Sequence, residues 1–251
     1  MQHRYLGDIG DYGKYGLLRA VCRFMGCPMS VNWYLTYPEN NKDGRHRDYL
    51  MPAAAPVFRP CDPDLYDWLI VLPGQLDVNL FQQSGLLPVS THFYDAPLDM
   101  RHIAAYTPVQ RAARVEARRQ WFEDYVDHIP QQIPVAFFDP DNGLAEPVNL
   151  SLGATKARKY VFPCEIARAL GAGVDVILYQ HARQGVTVQD QVRNVTQQVM
   201  DAGAGRVIAL RWNRVSVRSY LIIQRPESSL CWDAFVDAFL NSPWARHFSR
   251  L

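Results

Sequence analysis

Two carboxylates and an amide follow a short apolar run in the middle of the chain. The run VAFF, residues 135 to 138, leads directly into Asp139, Pro140, Asp141 and Asn142. Open α/β sheets bind ligands at the carboxyl ends of their strands, so polar residues in this position indicate a site. The two carboxylates with Asn142 could hold Mg²⁺ or Mn²⁺ through oxygen ligands, or they could orient an amino substrate. The competing interpretation is a turn, with the glycine that follows at a positive φ.

A second polar group follows the strand predicted at residues 174 to 179. Gln180 and His181 come next, and Arg183 lies two residues further on. In a parallel sheet this strand ends at the same edge as Asp139. His181 could then act as a general base or a metal ligand, and Arg183 could bind phosphate. The alternative for His181 is a surface or capping residue.

The segment from Gly7 to Gly16 alternates glycine with charged residues. Glycine-rich backbone just before a helix can approach a phosphate closely. The candidate contacts to substrate or phosphate are Asp8, Asp11, Tyr12 and Lys14. We interpret residues 1 to 29 as a gating segment that closes over substrate, followed by a helix. The competing interpretation is a helix N-terminus capped by Asp11.

Polar residues also follow the first two predicted strands, at the same expected edge. The candidate cofactor contacts are Thr36, Glu39, Asn40 and Asn41 after the first strand, and Asp95 after the second. A solvated loop is the alternative for the first group.

Charged residues on two predicted helices are open to more than one interpretation. Arg111, Arg114 and Arg118 share a helix face that could follow a phosphate backbone, although a solvated face is favoured. Glu165 could be a third carboxylate of a metal site, although an acid in the first turn of a helix is the simpler interpretation.

Composition and charge are typical of one folded domain. The chain has 251 residues, of which 48% are hydrophobic and 12% aromatic, enough for a single large core. A net charge of +1 does not by itself indicate a nucleic acid or membrane partner. Five cysteines without a C-x-x-C pair indicate reduced thiols, and no apolar run has the length of a membrane span. With a start unlike a signal peptide, these features predict a cytoplasmic protein without a membrane partner.

Apolar periodicity predicts strands that alternate with helices, the pattern of an α/β fold. Strands are predicted at residues 30–35, 89–94, 135–138, 174–179, 206–212 and 217–224, and helices at 16–25, 64–71, 109–129, 162–170, 187–200 and 229–240. Too few residues join the last two strands for a parallel crossover, so they should be antiparallel. The prediction is a single α/β domain over residues 1 to 251. Its Rossmann-like sheet should be mostly parallel, with an antiparallel strand near the C-terminus and helices on both faces.

Taken in order, these motifs resemble the Rossmann-fold adenine-N6 methyltransferases, particularly the RlmJ-like enzymes that act on 23S rRNA. Residues 7 to 15 stand where that family has G-N-x-A-D-x-x-K-H, and residues 30 to 46 where it has its cofactor loop. The sequence DPDN, residues 139 to 142, stands where the family has its catalytic D-P-P-Y. The C-terminal region is also similar, with a strand, a proline and a helix that leads to Pro243 and Trp244.

The resemblance implies a methyltransferase-like sheet, S-adenosylmethionine as cofactor and a nucleic acid or nucleotide as substrate. It implies that Asp139 and the Pro140 carbonyl accept hydrogen bonds from the amino nitrogen that receives the methyl group. The sequence departs from the family in two places: the first loop has no glycine before Gly44, and Asn142 stands where the family has an aromatic residue.

Two alternatives remain open. One is a metal-dependent phosphodiesterase or nuclease in which Asp139, Asp141 and Glu165 bind Mg²⁺ or Mn²⁺ and His181 is the base. The other is a catalytically inert module that binds nucleic acid or a protein partner.

Overall fold

The computed structural model describes residues 1–37, 46–74, 76–145, 150–215 and 217–251. The helices are α1 (Ile9–Met25), α2 (Ala55–Phe58), α3 (Pro63–Ile70), α4 (Val78–Gln82), α5 (Pro108–Asp127), α6 (Pro163–Gly171), α7 (Val188–Asp201) and α8 (Trp232–Leu240). The strands are β1 (Ser30–Asn32), β2 (His92–Tyr94), β3 (Val135–Phe138), β4 (Gly143–Leu144), β5 (Tyr160–Val161), β6 (Asp175–His181), β7 (Arg206–Trp212), β8 (Arg218–Gln224) and β9 (Phe248–Arg250). Within these ranges, no helix combines the length and apolar character needed to cross a membrane.

The strands form a mixed Rossmann-like sheet. Within the described residues its order is β2-β1-β3-β6-β8-β7-β9, and β4 pairs separately with β5. The neighbours from β2 to β6 are parallel, whereas β8 runs antiparallel to both β6 and β7. These pairings confirm the predicted α/β class and the antiparallel pair near the C-terminus. No local sequence pattern predicts β9, which pairs antiparallel with β7, or the short β4–β5 pair.

Helices cover both faces of the sheet, as predicted. In β3, Val135 and Phe137 pack on the side of α1, α3, α4 and α8. The alternate residues Ala136 and Phe138 pack on the side of α5, α6 and α7. A strand that is buried on both faces is apolar along its whole length, which explains why VAFF shows no alternation with polar residues.

Helix α1 begins seven residues earlier than the sequence predicted, because the glycine-rich segment is helical. Asp8, rather than Asp11, caps it by accepting a hydrogen bond from the N–H of Gly10. Gly10, Gly13 and Gly16 recur every third residue, and a Cβ on each would collide with a side chain of the sheet or of the C-terminal region. Close packing therefore overrides the low helix propensity of glycine. Residues 9 to 18 are buried, and the gating role that the sequence suggested stays a prediction.

Candidate functional site

The candidate site lies at the carboxyl end of β3. The main-chain N–H of Asp139 donates to the carbonyl of Asn32, the last residue of β1, at 3.0 Å. The chain adds β2 on one side of β1 and then β3 on the other side. The order in which strands are added therefore reverses between β1 and β3. Open α/β sheets bind ligands at the carboxyl side of such a switch point. The structure thus places Asp139 where the fold has its usual binding crevice.

Main-chain contacts hold the turn that follows β3. The N–H of Asn142 donates to the carbonyl of Lys159 at 2.9 Å, and its carbonyl accepts from the N–H of His181 at 3.2 Å. Gly143 has a φ of 104°, and the side chain of Gln180 occupies the space that a Cβ there would need. The predicted turn with a positive-φ glycine is therefore confirmed, and backbone groups rather than the two aspartate carboxylates stabilise it.

The carboxylate of Asp139 forms a buried ion pair with Lys14 of α1. Nζ of Lys14 lies 2.7 Å from Oδ2 of Asp139 and 2.8 Å from Oδ1 of Asp11, and each of these side chains is only 3% exposed. Burial by itself lowers the pKa of Lys14, but Asp11 and Asp139 outweigh that effect and raise it above its ordinary value. Lys14 is therefore a permanent ammonium that fixes one oxygen of Asp139.

Asp11 is the titratable member of this ion-paired group. Burial raises the pKa of Asp11 to about 6, against the opposing effect of Lys14. Its second oxygen accepts a hydrogen bond from the hydroxyl of Tyr15 at 3.3 Å. The charge next to Asp139 therefore changes near neutral pH while Lys14 stays protonated.

The second oxygen of Asp139 has no partner within the described residues, in a side chain that is only 3% exposed. Lys14 contacts Oδ2, and the carbonyl of Asp139 accepts from the amino group of Met1 at 3.0 Å. In the described part of the chain, no hydrogen bond reaches Oδ1. A carboxylate with one oxygen fixed by a cation and the other unused can accept a hydrogen bond from a substrate amino group without reorienting.

Asp141 faces the same N-terminal segment as Asp139. Its Oδ1 lies 3.0 Å from the amino group of Met1, and its Oδ2 accepts from Gln2 and Thr36 at 3.4 Å each. Burial favours the neutral form of Asp141, but the amino group of Met1 and then Lys159 outweigh it, so its pKa is lowered. The turn therefore brings both carboxylates to the N-terminal segment, Asp139 to Lys14 and Asp141 to Met1.

A layer of aromatic and cationic side chains from β6 and β8 lies beside the Lys14–Asp139 pair. The ring of Tyr179 has Nζ of Lys14 at 5.8 Å and the guanidinium of Arg218 at 5.7 Å from its centre. The hydroxyl of Tyr179 lies 3.1 Å from Nδ1 of His181. The hydroxyl of Tyr220 is buried without a hydrogen-bond partner within the described residues. His181 thus ends β6 at the predicted edge, where its Nδ1 contacts the hydroxyl of Tyr179.

Two residues of the predicted phosphate-binding segment have structural roles instead. Tyr12 is fully buried, and its hydroxyl donates to the carbonyl of Phe58 at 2.6 Å, so the structure gives it a role in packing. Asp8 caps α1 and also accepts from the N–H of His46 at 3.0 Å. Its Oδ1 lies 3.4 Å from Arg218, so its oxygens are occupied within the protein.

The structure does not bring Glu165 to the aspartates of the turn. Its carboxylate forms a buried pair with Arg118, at 2.7 Å from Nε and 2.9 Å from a terminal nitrogen. Arg114 and Arg118 are buried and bind main-chain carbonyls, so neither the solvated face nor the phosphate track that we considered describes them. Among the described residues, no group of three or more His, Cys, Asp or Glu side chains could hold a metal ion.

The remaining predicted contacts lie around the same edge. Thr36 is buried beside Asp141, whereas Asp95 follows β2 and is exposed. Arg183 is exposed beyond the end of β6. The predicted cofactor contacts Glu39, Asn40 and Asn41 lie outside the described residues.

Two residues that shape the site, Arg218 and Tyr179, were not predicted from the sequence, and Arg118 was not predicted to be the partner of Glu165. Tyr179 and Arg118 are buried, and the side chain of Arg218 is 14% exposed. No local pattern distinguishes a buried arginine or tyrosine from an exposed one. Lys14 was identified, but as a phosphate contact and not as the partner of Asp139. Its spacing of three residues from Asp11 is a signal for an ion pair on one helix face, once the segment is recognised as helical.

Comparison with known proteins assigns no family to this chain. No protein-family model matches it, and no curated protein is similar to it in sequence. The functional conclusion therefore depends on the geometry of the site.

Proposed function

We propose that the protein is a methyltransferase-like enzyme that transfers a methyl group from S-adenosylmethionine to an amino nitrogen of a nucleic acid or nucleotide. The observation that carries the proposal is the position and state of Asp139. It lies at the switch point of a Rossmann-like sheet, with Oδ2 fixed by Lys14 and Oδ1 without a partner in the described residues. A fixed carboxylate acceptor is the group needed to orient an amino nitrogen.

The order of the sheet supports the same proposal. The antiparallel strand β8 is inserted between β6 and β7 near the end of the chain, as expected of methyltransferase-like Rossmann folds. Because one fold hosts many activities, this order supports the proposal only together with the residues at the sheet edge.

The residues at the ends of β1 and β2 fit a nucleoside-containing cofactor. Asp95 presents an exposed carboxylate after β2, the position from which Rossmann folds bind ribose hydroxyls. Thr36, in the loop after β1, donates a hydrogen bond to Asp141 at 3.4 Å. When bound, S-adenosylmethionine supplies an activated methyl group, so the protein mainly has to align the two reactants. In this scheme Asp139 accepts a hydrogen bond from the amino group through Oδ1, and Lys14 fixes the carboxylate through Oδ2.

The metal-dependent alternative receives less support. Its three proposed ligands already have partners: Asp139 contacts Lys14, Asp141 contacts Met1, and Glu165 contacts Arg118. A divalent ion would have to displace these groups from buried positions, which is costly unless the ion restores every contact.

Isothermal titration calorimetry with S-adenosylmethionine tests the first requirement of the proposal. We expect the protein to bind the cofactor, and Asp95→Asn to weaken binding by about ten-fold through loss of a charge-assisted hydrogen bond. Asp201→Asn is the matched control, because it changes an exposed aspartate at the opposite edge of the sheet, where α7 ends. The proposal fails if the unchanged protein gives no binding heat at high concentration. An inert nucleic-acid-binding module would instead show salt-sensitive nucleic acid binding without turnover.

A further inference from the structure

The loop after β1 contains a backbone conformation that is rarely adopted by a bulky residue. Tyr34 has a φ of +46°, the only positive value for a residue other than glycine in the described ranges. The left-handed region is unfavourable for an L-residue with a large side chain. Such a residue persists only where its surroundings hold it in place. The contacts of Tyr34 therefore identify what fixes the path of this loop.

Tyr34 is held at both its backbone and its side chain. Its N–H donates to Oδ1 of Asn32 at 2.9 Å, and its hydroxyl donates to Oε2 of Glu165 at 3.3 Å. The ring packs against Trp121 with 5.0 Å between centroids and against Phe138 with 5.7 Å. The whole residue is buried, so no competing water replaces these contacts.

Glu165 is a rigid partner because Arg118 fixes it. The guanidinium binds both carboxylate oxygens, at 2.7 and 2.9 Å, and it also donates to the carbonyls of Ala157 and Tyr160. Arg118 has no exposed surface. A paired, fully hydrogen-bonded guanidinium has a single geometry, so Glu165 presents its oxygen to Tyr34 from a fixed position.

The residues just beyond Tyr34 connect the loop to the candidate site. The carbonyl of Leu35 accepts from the N–H of Leu98 at 3.0 Å, next to the segment that carries Asp95. The hydroxyl of Thr36 donates to Asp141 at 3.4 Å. A left-handed residue sets the direction of the chain that follows it, so a change at Tyr34 would displace these contacts together.

We propose that Tyr34 and Glu165 are positioning residues that fix residues 33 to 37, the described start of the loop after β1, in a ligand-binding conformation, with Arg118 as the anchor of Glu165. The identity of the ligand rests on the proposed function, whereas the order of the loop can be measured without any ligand. The proposal gives the buried Glu165 a role distinct from metal binding.

Tyr34→Phe is the most conservative test, since it removes the hydroxyl that reaches Glu165 and keeps the ring. The matched control is Tyr94→Phe. Tyr94 ends the neighbouring strand β2, and its hydroxyl donates to a carboxylate of α5, that of Asp124, at 2.8 Å. Hydrogen exchange followed by mass spectrometry measures the amides of residues 33 to 37 in each protein. We expect exchange of these amides to be about ten-fold faster in Tyr34→Phe and unchanged in Tyr94→Phe, because only the first loses an anchor of this loop.

Cofactor titration and turnover give the second readout. A positioning role predicts that Tyr34→Phe weakens S-adenosylmethionine binding several-fold, while the rate at saturating cofactor stays within about two-fold of the original. Unchanged loop exchange together with unchanged affinity would overturn the positioning role, whatever the activity of the protein. Faster loop exchange in a protein that binds no S-adenosylmethionine would instead support the positioning role and reject the proposed function.

Discussion

Oδ2 of Asp139 lies 2.7 Å from Nζ of Lys14, a contact between residues 125 positions apart that joins the end of β3 to the first helix. This contact explains why α1 contains three closely spaced glycines. Glycines at positions 10, 13 and 16 let the helix lie close to the sheet and the C-terminal aromatic residues. From that position the side chain of Lys14 reaches the carboxylate. The helix and the candidate site therefore depend on each other.

Replacing Lys14 with methionine should destabilise the fold strongly. The change leaves two carboxylates, those of Asp11 and Asp139, buried without their shared cation. Removing one partner of a buried ion pair costs about 3–5 kcal/mol, so we expect a loss in that range by urea denaturation at neutral pH. Lys156→Met is the control, since Lys156 is exposed and its replacement should change stability by less than about 0.5 kcal/mol. A Lys14→Met protein as stable as the control would show that the pair does not hold α1 to the sheet.

The close approach of α1 predicts a specific cost for adding a methyl group. In Gly16→Ala the new Cβ would overlap the ring of Trp244, and overpacking of this kind costs about 1–3 kcal/mol. Gly171→Ala is the matched control in α6, where nothing lies within 4 Å of the new Cβ. Alanine is a better helix former than glycine, so the control should be neutral or stabilised by up to about 1 kcal/mol. Thermal unfolding of the two variants should therefore move the melting temperature in opposite directions or leave the control unchanged.

Asp11 should make stability depend on pH in a defined direction. Burial raises its folded pKa to about 6, above the value of the unfolded chain, so the folded state takes up the proton first as pH falls. The contribution of Asp11 to the stability of the fold is favourable at low pH and is lost as pH rises through about 6. In Asp11→Asn this dependence is absent, so the stability of the variant relative to the original should increase by on the order of 2 kcal/mol between pH 4 and pH 7. Urea denaturation across this range measures the difference, and a constant difference would show that Asp11 does not titrate there.

His247 should make stability depend on pH in the opposite direction to Asp11. Its ring stacks on Phe58 at 4.7 Å, and Nδ1 accepts a hydrogen bond from Arg214 at 2.7 Å. Burial, followed by the charge of Arg214, lowers the pKa of His247 to about 4. The unfolded chain therefore takes up the proton first as pH falls from about 6.5, and the folded state loses on the order of 2 kcal/mol by pH 4.

Comparison of His247→Phe with the original protein isolates this effect. The aromatic replacement retains the ring that stacks on Phe58 but cannot take up a proton. Its stability relative to the original should rise as pH falls from 7 to 4, the reverse of the trend expected for Asp11→Asn. A relative stability that stays flat across this range would indicate that His247 is not held neutral by the fold.

The fold class could be predicted because it depends on features that repeat along the chain. The buried run VAFF identified a strand covered on both faces, and the short connection between β7 and β8 identified an antiparallel pair. The strand β9 has only three residues, and it pairs with β7 far from its own sequence neighbours, so no local pattern indicated it. The start of α1 was misplaced because local propensity treats glycine as a helix breaker. The packing that requires glycine involves residues 212, 218 and 244.

The candidate site could be predicted only in part for a similar reason. Asp139, Asp141 and His181 were identified because strand ends in a parallel sheet share one edge. The buried ion pairs Lys14–Asp139 and Arg118–Glu165 were not predicted, since each joins distant segments of the chain. Arg118 stood on a helix face that also carried acids, where solvent exposure was the simpler expectation. Its burial depends on Glu165 and on carbonyl groups that only the folded chain brings to it.

Transfer of tritiated methyl groups from S-adenosylmethionine to mixed RNA and DNA tests the central claim most directly. We predict that the protein labels nucleic acid and that Asp139→Asn lowers the single-turnover rate by about 10²-fold, because it removes the carboxylate that orients the acceptor. Asp201→Asn, at the far edge of the sheet, should leave the rate unchanged. Equal labelling by the original and the Asp139→Asn protein, or no labelling by either, would contradict the assignment of Asp139 as the catalytic group.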